Sequence, residues 1–414
     1  MTNKLYNTCT LADGLRVIHR PSASPVVFCG YAVNAGTRDE REGEEGMAHF
    51  CEHMTFKGTA RRRPWHVLNC LESVGGELNA FTTKEDTVYH AAVLRDDVAR
   101  AVDLLTDVVF HSVYAQHEID KEVEVICDEI ESYNDSPADL VYDDFEQRLF
   151  AGHPLGRNIL GRADQLRTYT QAQAEAFTSR YYQPANAVFF AYGDVDFGRL
   201  VRLLERAPRR QGSTSVADVA RWRASVPLPE YCPVSAERHM DTHQAHVMLG
   251  TRAYAATDPR RMALYLLNNL LGGPGMNARL NVSLRERNAL VYTVESTMVS
   301  YTDTGLWSVY FGCDPGDVSR CMRLVRRELD RVLSAPLSPA QLRAAKKQLK
   351  GQIGVASDAR ESQALEFART WLHYGRCRDT QALIQTIDRL TSDDLLSVAR
   401  VLFDAERLTT YRIV

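Results

Sequence analysis

No stretch of this 414-residue chain approaches the ~18–20 consecutive apolar residues of a membrane-spanning helix, so a helical membrane protein is excluded. Basic charge is not in excess: 49 Lys and Arg stand against 53 Asp and Glu, a net charge of −4. A broad electrostatic footprint for nucleic acid is therefore missing. The first ten residues lack the apolar core of a secretory signal and the Arg- and Ser-rich character of a transit peptide, and a cytoplasmic address is expected. Cysteine pairing is also absent. The nine cysteines, at 9, 29, 51, 70, 127, 232, 313, 321 and 377, are odd in number and contain no CxxC pair, which fits free thiols in a reducing compartment. What remains, with 25% charged and 9% aromatic residues, is a soluble globular chain long enough for two or three domains.

Local signals predict the elements. An Asp13-Gly14 turn precedes a short alternating run, and Val26–Val33 is β-branched and aromatic enough for a buried strand. Acidic residues between Gly36 and Gly46 suit the entry to a helix starting near Met47. A helix over Trp65–Val74 ends at Gly75-Gly76, strands follow at 78–83 and 87–93, and helices at 96–110 and 115–133. Between Ala207 and Ser235, prolines and arginines replace any sustained apolar period, the character of a linker. The second half repeats the first: setting Ile130 against Ile353 puts Glu129 opposite Gln352 and Glu122 opposite Ala345. The expected organisation is a domain at 1–207, a linker at 208–235 and a homologous domain at 236–414 that lacks the acidic residues of the first.

His49-Phe-Cys-Glu52-His53 carries the strongest chemical signal. On a helix the histidines sit at i and i+4 with Glu52 on the same face. Two imidazoles one turn apart can bind one zinc, with the carboxylate beside it, and H-x-x-E-H is the inverted zincin pattern. Two solvated histidines on a surface helix would fit the spacing as well. A third ligand is available in Glu122 or Glu129, seven residues apart on one helix face, yet Glu118, Glu124 and Glu131 lie on the same helix and a solvated acidic face fits too. His239, His243 and His246 precede or begin a strand, where such spacing does not converge. Cys51 lies two residues from each histidine, off their shared face.

Taken together, the motifs resemble the pitrilysin and mitochondrial processing peptidase family of zinc metallopeptidases, in its short two-domain form. His49 to Thr59 resembles the family's zinc helix and the turn after it, and Gly75-Gly76-Glu-Leu-Asn79-Ala80-Phe81-Thr82 its substrate strand. Glu122 and Glu129 fall at its paired glutamates. His153–Gly161, Gly193-Asp-Val195, the loop Gly272-Gly-Pro-Gly275 and the Arg285-x6-Tyr292 pair follow in family order.

The resemblance implies an α+β fold of two homologous α/β-sandwich domains, with antiparallel-rich sheets packed with helices. It implies one zinc per chain on His49, His53 and Glu129, Glu52 as general base, and Glu122 behind the ligands. Arg285 and Tyr292 would act on the scissile carbonyl, and Asn79, Ala80, Phe81 and Thr82 would hold an extended peptide added as a strand. The implied activity is that of an endopeptidase or oligopeptidase on unstructured peptides inside a clamshell chamber. The family also contains non-catalytic structural or regulatory subunits, the alternative reading. One chain supplies half of a chamber, so a homodimer with sites completed in trans is expected, or a heterodimer with a related chain, with no nucleic-acid or membrane partner.

Overall fold

A computed structural model describes residues 5–210, 212–377 and 379–414. Gly14, at φ 88°, turns the chain between β1 (Asn7–Thr10) and β2 (Arg16–Pro21), a left-handed position that suits glycine. β3 (Val26–Val33), β4 (Glu77–Thr82), β5 (Thr87–Leu94) and β6 (Ala187–Gly193) complete a six-stranded sheet in the order β1-β2-β6-β3-β5-β4. Only β2 and β6 run parallel. Both faces of this sheet are covered. Val17, Tyr31, Tyr89 and Phe189 point into one core, and their neighbours Ile18, Ala32, Val88 and Phe190 into another with Phe367 and Leu372. That two-sided burial is why β6 reads Ala-Val-Phe-Phe-Ala-Tyr without polar alternation.

The first half also contains α1 (Met47–Thr55), α2 (Pro64–Glu72), α3 (Val98–His111), α4 (Gln116–Asn134) and α5 (Pro137–Leu149). The second half holds β7 (Ser235–Arg238), β8 (Ala245–Ala253), β9 (Val291–Ser300), β10 (Gly305–Cys313) and β11 (Thr409–Ile413), in the order β7-β11-β8-β10-β9. Here β7 and β11 are the parallel pair and the rest are antiparallel. Order and orientation therefore repeat β2-β6-β3-β5-β4, the duplication expected from the sequence. The fold is α+β, with two mixed sheets packed with helices.

The two units are not contiguous in sequence. One comprises Met1–Glu131, His153–Pro227 and Ala359–Arg378; the other comprises Ser132–Gly152, Leu228–Asp358 and Asp379–Val414. α5 therefore belongs with the second sheet, packed on β8 and β11, and helix Arg360–Tyr374 belongs with the first, packed on β3 and β6. The spans 1–207 and 236–414 are each interrupted by one exchanged helix. The exchange was not legible locally, because both helices are ordinary amphipathic segments whose partners are set by packing.

The stretch 208–235, expected as a linker, contains helix Val216–Ala224 in the first unit. One of its anchors is ionic. Buried Arg223 donates from Nε and Nη2 to the two Asp39 carboxylate oxygens at 2.8 and 2.6 Å, and from Nη2 to the Glu85 carbonyl at 2.7 Å. With Val219 buried in the core and this bidentate guanidinium beside it, the helix needs little apolar periodicity, which is why its composition resembles a linker.

A candidate zinc centre

α1 is placed by its apolar residues. Met47, Phe50, Cys51 and Met54, at i, i+3, i+4 and i+7, are all buried in the first unit's core. This leaves His49, Glu52 and His53 on another face. Cys51 is fully buried, so its thiol packs and does not face the histidines. Gly46 begins α1 at φ 94°, and a Cβ there would meet Gly161 Cα at 2.7 Å, so segment 160–161 can approach only because both positions are glycine. Buried Glu40 closes the helix end, accepting from the Gly46 and Ala48 amides at 3.1 and 2.9 Å. The acidic segment before Met47 thus acts as expected through one residue, Glu40.

α4 presents Ile119, Val123, Ile126 and Cys127 to the core and carries Glu122 and Glu129 towards α1. Glu129 Oε2 lies 3.9 Å from His49 Nε2 and 3.6 Å from His53 Nε2. One ligand atom from each of the three residues falls within 4.8 Å of the other two, the sole such cluster of His, Cys, Asp or Glu among the described residues. Ligands held at 2.0–2.1 Å in a tetrahedron stand about 3.3 Å apart, so Glu129 already lies close to ligand spacing from both imidazoles.

His49 is buried, and its Nε2 is the nitrogen that faces Glu129. Burial, then the neighbouring His53, pushes its pKa down to about 3, so it stays a neutral imidazole with a lone pair to give. His2Glu with one open position is a catalytic zinc donor set.

His53 Nδ1 lies 2.9 Å from Glu122 Oε1, and Lys57 Nζ lies 2.5 Å from Glu122 Oε2. Burial opposes charge on His53, but the Glu122 hydrogen bond and the Glu52, Glu122 and Glu129 charges outweigh it and raise its pKa. Burial likewise works against the Glu122 carboxylate, and His53 and Lys57 together overcome it and lower its pKa. Lys57 went unnoticed in the sequence, although it lies four residues after His53 on the extended motif.

Glu52 is buried and accepts a 2.6 Å hydrogen bond from the Thr82 hydroxyl. Burial raises its pKa, against the opposing pull of Thr82 and His53. Thr82 ends β4, which pairs with β5 alone and forms one edge of its sheet. Asn79, Ala80 and Phe81 lie on the same edge strand. A cleft of about 260 Å³ opens beside Glu52 and His53, walled by Phe56, Leu68 and Leu78 with Lys57 and Glu72. None of these wall residues was singled out from sequence, since they come from three separate elements.

In the second unit, the Arg285 guanidinium carbon sits 5.5 Å from the centre of the Tyr292 ring, and Tyr292 is 80% exposed on edge strand β9. His246 is buried on β8, with Nδ1 3.0 Å from the Tyr310 hydroxyl, apart from any metal-ligating cluster. All nine cysteines are free. No described helix is long and apolar enough to cross a membrane.

The chain is similar to known proteins over most of its length. Residues 16–163 match the family model described as insulinase (peptidase family M16), and residues 168–349 match the peptidase M16 inactive domain. The chain is 34% identical over 398 residues to an uncharacterized zinc protease of Streptomyces coelicolor, covering 94% of this chain and 86% of that protein. It is 28% identical to an uncharacterized zinc protease of Bacillus subtilis, over 95% of each. Among solved structures, a protease from Helicobacter pylori superposes with a TM-score of 0.88 at 22% identity, over 99% of each chain.

Proposed function

On the premise that the chain belongs to the insulinase family of peptidases, M16, we propose that it is a zinc-dependent endopeptidase or oligopeptidase acting on unstructured peptides. The observation that carries this reading is the convergence of His49, His53 and Glu129, with the buried carboxylate of Glu52 on the same helix face. One zinc per chain would be held by those three side chains. When bound, it would supply Lewis-acid polarisation and bring the pKa of a water towards ~7.

The remaining steps belong to residues of the chain. Glu52, oriented by the Thr82 hydroxyl, takes the proton of the attacking water and delivers it to the leaving amine. Glu122 holds His53 through Nδ1, leaving Nε2 for ligation. The open edge of β4 takes the substrate backbone as an added strand, with Asn79, Ala80, Phe81 and Thr82 along it. Arg285 and Tyr292 donate to the developing oxyanion. Because each chain carries one zinc set and one Arg/Tyr pair, a homodimer completing each site in trans is the proposed assembly, with a heterodimer with a related chain as its rival.

The test is direct. Purified protein should cleave unstructured peptides and lose that activity to a chelator, and Glu52→Gln should be inactive while retaining one zinc per chain. Wild-type rates in Glu52→Gln would overturn the assigned base, and zinc-free protein with full activity would overturn the metal.

A further inference from the structure

The π-helical turn Asn281–Glu286 serves two directions at once. Its Arg285 lies over the Tyr292 ring, while its Ser283 lines a separate cleft of about 490 Å³ within the second unit. Helix Val318–Ser334 supplies Glu328 and Arg331 to that cleft, the first turn of helix Pro339–Ala356 supplies Gln341, and Arg279 and Arg287 complete the wall.

The charge in this cleft does not balance. Three arginines face one acid, Glu328. Glu328 is buried and already committed to Arg331, at 2.7 Å. Among the described residues, no carboxylate lies within ion-pair distance of Arg279 or Arg287. Arg279 is half-buried: burial works against its charge, the Glu328 charge helps hold it, and Arg331 opposes it. Behind the wall, Arg327 donates to the Ser283 hydroxyl at 3.4 Å. Two guanidinium forks, half-buried Arg279 and exposed Arg287, are therefore left without a carboxylate partner at a concave surface, and at Arg279 partial burial strengthens an ionic hydrogen bond. The excess of positive charge suits a multiply charged phosphate group better than a single carboxylate, and the volume is that of a small-molecule site.

We propose that this arginine-lined cleft binds a phosphate-bearing small anion of the size of pyrophosphate or a nucleoside diphosphate. The site shares no residue with the His49, His53 and Glu129 cluster, and the recognising chemistry is the paired phosphate group.

Calorimetric titration of the full-length protein with inorganic pyrophosphate, and in parallel with adenosine diphosphate, tests the proposal. Saturable binding that weakens with added salt is expected. Arg279→Gln and Arg287→Gln should each raise Kd by at least about tenfold, the loss of one charge-assisted hydrogen bond, whereas Arg199→Gln, an exposed residue of the first unit, should change nothing. Binding of phosphate to a zinc ion elsewhere would survive both cleft variants, so their loss assigns the site. Tighter binding of the nucleotide identifies it as the ligand class, and equal binding identifies the inorganic anion. Because Arg287 is exposed, its variant remains informative if Arg279→Gln fails to fold. Absence of saturable binding at millimolar ligand, or unchanged affinity in Arg287→Gln, would overturn the proposal.

Discussion

Glu122 Oε1 lies 2.9 Å from Nδ1 of His53, while the other ring nitrogen of that histidine lies 3.6 Å from Glu129. One carboxylate fixes the tautomer and ring orientation, and the other converges on the nitrogen left free. The two glutamates, seven residues apart on α4, thereby do different work on one imidazole.

Replacing Glu122 by Gln should keep the fold and weaken zinc binding by about 10–100-fold, the usual cost of losing a carboxylate behind a metal-ligating histidine. Competition against a chromogenic chelator measures this. Unchanged affinity would return Glu122 to a plain ion pair with Lys57.

Thr82→Val removes the hydroxyl that donates to Glu52 while leaving volume and β-branching intact. A hydrogen bond to a charged group contributes about 1.5–3 kcal/mol, so kcat for peptide cleavage should fall by about 10–100-fold with zinc content unaltered. Steady-state kinetics beside metal analysis would expose any error in this assignment.

Asp86 is fully buried, accepting from Arg369 Nε at 3.0 Å to each oxygen and lying 2.8 Å from His373 Nε2. Burial alone would raise its pKa; the Arg369 charge and the His373 bond outweigh it and hold it well below the usual carboxylate range. Its folded pKa is depressed, so its contribution is complete above the unfolded value of ~3.9 and is lost as pH falls below that towards the folded value. Urea midpoints should therefore fall below about pH 4 more steeply in wild type than in Asp86→Asn. At neutral pH, Asp86→Ala should destabilise at the low end of ~3–5 kcal/mol, since Arg369 can still reach water.

Mixing Glu52→Gln with Tyr292→Phe protein tests assembly. If symmetric dimers complete sites in trans, half the dimers in an equal mixture are mixed and each has one intact site. About a quarter of wild-type activity should return. No recovery at any ratio, with exchange of chains verified, would count against shared sites.

Much of this was legible in the residues. The i, i+4 placement of His49 and His53, the Asp13-Gly14 turn, the break at Gly75-Gly76 and the repeat that sets α4 against helix Pro339–Ala356 all rest on local periodicity or on internal similarity. A helix repeats every 3.6 residues whatever it packs against, so the shared face of the two histidines needed no tertiary information. Absence of long apolar runs and of basic excess likewise followed from composition alone.

Tertiary packing decided the rest. Among the acids of α4, only the approach of that helix to α1 brings Glu129 and Glu122 to the histidines, whereas Glu124 pairs with Arg167 at an exposed position. Helix Val216–Ala224 hides in linker-like composition because it is held by one buried valine, Val219, and by the ion pair between Arg223 and Asp39, 184 residues apart in sequence. The exchange of α5 and helix Arg360–Tyr374 leaves no local trace, since an amphipathic face states that it will be buried but not against which sheet. Sequence determined which residues could do the chemistry; long-range contacts decided which of them meet.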